Sequence, residues 1–164
     1  MIIKNKIVYV YDIEVFPNVF HCLLKNTETK EYIYFEVSER KNQIEQLIDF
    51  FSNCQNKIIC GYNCIHYDNP IINFILEYKK PMSCASFQRI CHNIQSLSNI
   101  IVSSNDIEKW KRWKYANNFD TLDLLTMLYS QKLRVGLKEM QVTMKYKNVQ
   151  EYSGKFTDYL LEKD

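Results

Sequence analysis

The hydrophobic pattern of the first third of the chain is that of strands. From Ile7 to Phe20 (IVYVYDIEVFPNVF) an apolar, β-branched and aromatic run is broken only by Asp12 and Glu14, with Pro17-Asn18 forming a short turn. Val19 to Lys25 (VFHCLLK) predicts a second strand and Glu31 to Val37 (EYIYFEV) an alternating third, with the polar NTETK between them as a turn. Three strands joined so closely predict an antiparallel meander. The period then changes. Ile44, Leu47, Ile48 and Phe51 fall at helical spacing, predicting an amphipathic helix from about Arg40 to Ser52 with Ser38 as its N-cap. Lys57 to Gly61 (KIICG) is a short continuous apolar run, the pattern of a strand buried on both faces in a parallel pairing. Asp68-Asn69-Pro70 opens a helix carrying Ile71, Ile72, Phe74, Ile75 and Leu76, and Pro81 closes it. Ser83 to Ile101 is helical with a loose pattern, and Asp106 to Tyr115 (DIEKWKRWKY) is basic and aromatic. Asn118 to Leu122 (NFDTL) predicts a last strand, followed by helices through Leu124–Leu128 and Gly136–Met144, with a short terminal one around Thr157 to Glu162. This order predicts one α/β domain over 1–164: a mixed sheet, part antiparallel meander and part parallel strands, flanked by helices.

The two acids of the first strand carry the chemistry. Residues i and i+2 of a strand share a face, so Asp12 and Glu14 leave the sheet side by side. An unpaired carboxylate in an apolar setting costs several kcal/mol, and two together call for a counter-charge. Hard divalent cations such as Mg²⁺ take oxygen ligands and supply it. A third acid, Asp68, stands where the buried strand Lys57–Gly61 gives way to a helix, the kind of strand end at which ligands bind in open α/β sheets. Asn63 and Tyr67 flank it with hydrogen-bonding groups.

Composition narrows the setting. The 164 residues balance 21 Lys+Arg against 19 Asp+Glu, so bulk charge gives no sign of a nucleic-acid binder and only local patches argue for one. The block from Lys109 to Tyr115 is such a patch: cations interleaved with Trp110 and Trp113, a combination that grips single strands by stacking, or an amphipathic helix whose tryptophans cover the core. Six cysteines accompany an N-terminus that passes straight into strand pattern with no leader, and no apolar run approaches the roughly 20 residues of a membrane span. Free thiols in a cytoplasm are the expectation, with buried cysteines acting as small hydrophobes. Structural zinc on Cys60, Cys64, His66, Cys91 and His92 is the alternative, weakened by the lack of any CxxC pair.

Asp12-Ile13-Glu14 in YDIEVFPN, followed by Gly61-Tyr62-Asn63 and Tyr67-Asp68 in GYN…YDNPI, resembles the first and second motifs of DEDD-type 3′–5′ exonucleases, most of all the proofreading region of family B and phage-type DNA polymerases. FDTLDLL and KLRVGLKEMQ are similar to the segment that follows in that family, so the resemblance spans about Val8 to Lys147. It implies a ribonuclease H-like fold and two divalent ions, Mg²⁺ or Mn²⁺, held by four carboxylates. It also implies hydrolysis of the terminal phosphodiester of a single-stranded DNA 3′ end. The family's first two motifs map onto Asp12, Glu14 and Asp68, with Ile13, Phe16, Asn63 and Tyr67 beside the substrate. Trp110, Arg112 and Trp113 are further candidate contacts. The polymerase itself would lie in the same chain or a partner, in the host cytoplasm if phage-encoded, with no membrane involved. The third motif, Tyr-x-x-x-Asp, is not present, and the chain reads as ending before it. Asp120, Asp158 and Asp164 are the candidate replacement carboxylates, while Asp123 reads as a cap for the helix that follows. A catalytically incomplete module that binds nucleic acid or a partner polymerase is the second expectation.

Overall fold

The computed structural model describes residues 2–3, 5–103, 107–128, 135–145 and 154–160. A two-residue strand β1 (Ile2–Ile3), ahead of the first strand expected from Ile7, folds back on β2 (Lys6–Val15). From there β2 runs antiparallel to β3 (Phe20–Asn26), and β3 antiparallel to β4 (Tyr32–Val37), giving the meander expected from the short turns. Two parallel strands extend the other side: β5 (Lys57–Gly61) pairs with β2, and β6 (Asp120–Asp123) with β5. The sheet therefore reads β4-β3-β2-β5-β6, with β2 at its centre. The domain is α/β with a mixed sheet flanked by helices.

Alternation along β2 settles which face is which. Tyr9, Tyr11, Ile13 and Val15 point into the main core with Cys22, Leu24, Phe35 and Val37 from the meander. Three helices close that face through their own apolar stripes. These are α1 (Ile44–Ser52) with Ile44, Leu47, Ile48 and Phe51, α2 (Asp68–Glu77) with Ile71, Ile72 and Ile75, and α4 (Phe87–Ser103) with Ile90, Ile94 and Leu97. On the opposite face, over the parallel strands, Val8, Ile58 and Cys60 form a small cluster under Leu122 and Leu124. Asp12 and Glu14 belong to that second face.

Several local expectations need correction. Helix α1 begins at Ile44, not near Arg40: Ser38 does not cap it, because its hydroxyl donates to Glu36 and accepts from the Arg40 N–H instead. Pro81 does not close α2, which ends at Glu77; it sits inside the short α3 (Lys79–Ser83), near enough to the helix start for its missing N–H to cost nothing. The described part of the expected terminal helix, 157–160, is turn and extended chain. Among the described residues the cysteines are free thiols, five buried and Cys84 exposed, so the hydrophobe reading fits and no zinc cluster forms. No helix of the described residues is long and apolar enough to cross a membrane.

Glu36 anchors the outer strand. Arg40 Nε donates to its carboxylate at 2.7 Å, Tyr34 Oη at 3.1 Å, and Ser38 Oγ donates as well. Burial pushes this carboxyl up, but the hydrogen bonds from Arg40, Ser38 and Tyr34 outweigh it and bring it down to about 2, from an ordinary 4.5. An acid held low by the fold adds stability above its unfolded value, and that stability is lost as pH falls from 4.5 toward 2. Glu36→Gln should therefore cost about 1–2 kcal/mol at neutral pH, discounted for the exposed Arg40, and flatten the acid limb of a urea-unfolding series.

Candidate metal centre

Asp12 and Glu14 stand two apart on β2, opposite Leu23 and His21 of β3. Parallel pairing with β5 stops at Val10, so the last half of β2 runs on without β5 beside it. Asp68 fills this gap. As the first residue of α2 it turns its carboxylate to the β2 edge, where Oδ1 accepts the N–H of Ile13 at 3.3 Å, from the residue between the two acids. Three acids from two elements thus stand around Ile13, graded from exposed Asp12 through half-buried Glu14 to Asp68 at 6% exposure.

The electrostatics of this convergence are unfavourable in the absence of a cation. Burial is the main force pushing the Asp68 carboxyl up, to about 8; repulsion from Asp12 adds to it, and N–H donation from its own backbone and Ile13 only partly opposes it. Burial and then Asp12 push Glu14 up to about 7. Burial also raises Asp12, against a backbone hydrogen bond from Ile13. Tyr67 joins the group: its hydroxyl is 2.8 Å from Ser98 Oγ of α4, and burial together with the three acids keeps it a phenol.

The approach to Asp68 is built by the chain between β5 and α2. Asn63 adopts a left-handed backbone (φ 58°), a single 3-10 turn follows at Cys64–His66, and Asp123 fastens both. The Asp123 carboxylate, 3% exposed, accepts the N–H groups of Asn63 and Ile65, each at 3.0 Å, and of Leu125 at 2.9 Å. The expected cap of α6 (Leu124–Leu128) is there, but the larger role was missed: Asp123 fixes the loop that delivers Asp68. The signal for that role is a carboxylate in β6 beside Gly61 in register, which only the pairing reveals. Gly61 itself is a close-packing position, since a Cβ there would lie 2.6 Å from Cys64 Cβ and 3.0 Å from the Tyr11 ring. Gly61→Ala should destabilise the protein by about 1–3 kcal/mol in thermal unfolding. Adding Cys64→Ala should not relieve it, because the clashing atom is the Cβ.

Other expected contacts lie elsewhere. Ile13 turns its side chain into the core and offers the site only its backbone. Phe16 is buried, stacked 5.2 Å from Phe156, whose outer side is half exposed. Trp110 is a core residue; Trp113 packs edge-on against Phe74 and donates to Glu77 at 2.6 Å; Arg112 lies over Trp113 and donates to Tyr78 Oη at 2.7 Å. This block, which includes α5 (Lys111–Lys114), packs at the C-terminal end of α2, about 15 Å along the helix from Asp68. Trp110 is thus in the core and Trp113 half-buried against Phe74, while Arg112 stays exposed. Asp120 is at the wrong end of β6, paired with Lys6 at 2.6 Å. Asp158 is on a segment held to the β2–β3 turn, where Asn18 exchanges two hydrogen bonds with the Leu160 backbone, and its carboxylate accepts the Lys155 N–H at 3.4 Å. Asp164 lies outside the described residues. Among the described residues no group of three or more His, Cys, Asp or Glu side chains is drawn together tightly enough to hold a metal ion as it stands. The donor chemistry nonetheless suits a hard cation: burial disfavours the charged form of all three carboxyls, and Asp12 adds repulsion at Glu14 and at Asp68. No protein-family model, curated protein or solved structure matches the chain.

Proposed function

We propose that the chain is a ribonuclease H-like, metal-dependent 3′–5′ exonuclease domain of proofreading type that removes nucleotides from single-stranded DNA ends. The observation that carries the reading is the Asp68 carboxylate bonded to the backbone of Ile13, between Asp12 and Glu14. The sheet order supports the fold assignment, with a meander whose first strand is central and two parallel strands beyond it. Asp12, Glu14 and Asp68 would hold Mg²⁺ or Mn²⁺. Such ions supply activation of the attacking water and stabilisation of the leaving 3′ oxygen. Asp68 is fixed by the Ile13 N–H and the loop latched to Asp123, while Tyr67 offers a phenol beside the acids.

A second reading follows from the carboxylate count. Asp123 is near enough to act on Asp68, but its oxygens are already taken by three backbone N–H groups. With three acids instead of four, the domain would bind nucleic acid or a polymerase without cutting. Digestion of a 3′-labelled oligonucleotide in Mn²⁺, wild type against Asp12→Ala, separates the two.

A further inference from the structure

We propose that the open face of the meander is a track for single-stranded nucleic acid leading to the acid pair. The proposal rests on the exonuclease reading for its direction, but its evidence is separate.

The strand register lays the outer face out in rows. Asp12 is opposite Leu23, which is opposite Tyr34; one row back, Val10, Lys25 and Tyr32 line up. Both tyrosines are exposed, Tyr32 at 62% and Tyr34 at 38%, and Val10 and Leu23 lie bare between them and β2. The described helices that pack on the meander occupy its other face. Each ring has a cation beside it: Lys25 Nζ is 4.8 Å from the Tyr32 centroid and Lys41 Nζ 5.8 Å from that of Tyr34. Glu36 on this face is buried and paired with Arg40, so it does not offset the lysines, and Asp12 and Glu14 stand at the β2 side. Tyr34 is held in place by Glu36 and by His21 Nε2, 2.8 Å from its hydroxyl.

Exposed rings alternating with lysines fit a polyanion that carries flat bases. Spacing selects the single strand. Tyr32 and Tyr34 are two residues apart on one strand, hence about 7 Å, roughly twice the 3.4 Å step between stacked bases of one duplex strand. They would receive bases drawn out of helical stacking. Two strand spacings, about 10 Å, separate Tyr34 from Asp12 across Leu23, so a strand that stacks on the rings and turns across Leu23 reaches the acids.

The test is fluorescence anisotropy with 5′-labelled oligo-dT and the full chain in EDTA, where nothing is cut. Tyr32→Ala should weaken binding about 5- to 100-fold and Tyr32→Phe should restore it, with the double change Tyr32→Ala/Tyr34→Ala weaker still. Lys25→Ala/Lys41→Ala should reduce the slope of log Kd against log salt by about 1.5. Val102→Ala, on an exposed position of α4, should change nothing. Unchanged affinity in folded Tyr32→Ala overturns the proposal, as does failure of the wild type to bind. A dimer in sedimentation that Tyr32→Ala dissociates would also overturn it, assigning the face to a second copy of the chain. If the wild type binds by these residues but does not cut in Mn²⁺, the track stands and the exonuclease reading falls. Cutting with tyrosine-independent binding gives the reverse.

Discussion

Asp12→Ala is expected to abolish nucleotide release from a 3′-labelled oligonucleotide in Mn²⁺, by on the order of 10³-fold or more, and to leave folding intact. The side chain is exposed on the thinly covered face, so its removal opens no cavity in the main core. What it removes is charge from the centre of the site, where Asp12 acts on both Glu14 and Asp68. In the metal-free variant those two carboxyls should therefore titrate lower than in the wild type, a change visible by NMR of the side-chain carboxyls. Equal digestion by wild type and variant would assign the activity to something other than this site. No digestion by either would leave the binding-module reading.

The second large effect is on stability, with the opposite sign. Asp68→Asn should stabilise the metal-free protein at alkaline pH while eliminating hydrolysis. An acid raised from 3.8 to about 8 in the folded state is penalised only when charged. The penalty is absent below pH 3.8, grows as pH rises, and is complete above about 8. Asparagine keeps an acceptor for the Ile13 N–H and removes the charge, so the gain at pH 8 should be about 2–4 kcal/mol and near zero at pH 4. Millimolar Mn²⁺ should raise the unfolding midpoint of the wild type more at pH 8 than at pH 5, and should lose most of that effect in Asp68→Asn. A variant no more stable than wild type in EDTA at pH 8 would show that the desolvated charge is not the dominant cost there.

Much of this site was legible in the chain because it depends on local rules. Spacing of two on a strand placed Asp12 and Glu14 together, and the strand-to-helix change placed Asp68 at a sheet end. The meander followed from short turns, and β5 was read with its observed bounds because a fully buried strand is apolar throughout. What was not legible depends on distant pairing. Trp110 and Trp113 have the composition of a stacking patch, and only the fold shows Trp110 in the core and Trp113 half-buried against Phe74 of α2. The Asp123 latch and the tyrosine rows exist only in the register of strands. Ser38 has the right residue type for a cap, but Glu36 competes for its hydroxyl.

The latch also bears on the order in which the protein forms during synthesis. Both ties that assemble the site are carboxylate-to-backbone bonds across long stretches of chain: 55 residues from Asp68 to Ile13, and 58 and 60 from Asp123 to the loop before α2. Closing such loops loses entropy before any contact rewards it, and β6 is the last of the described strands to leave the ribosome. A nascent chain that stops short of β6 carries all three acids and the Ile13 tie, but lacks the Asp123 latch on the loop that delivers Asp68.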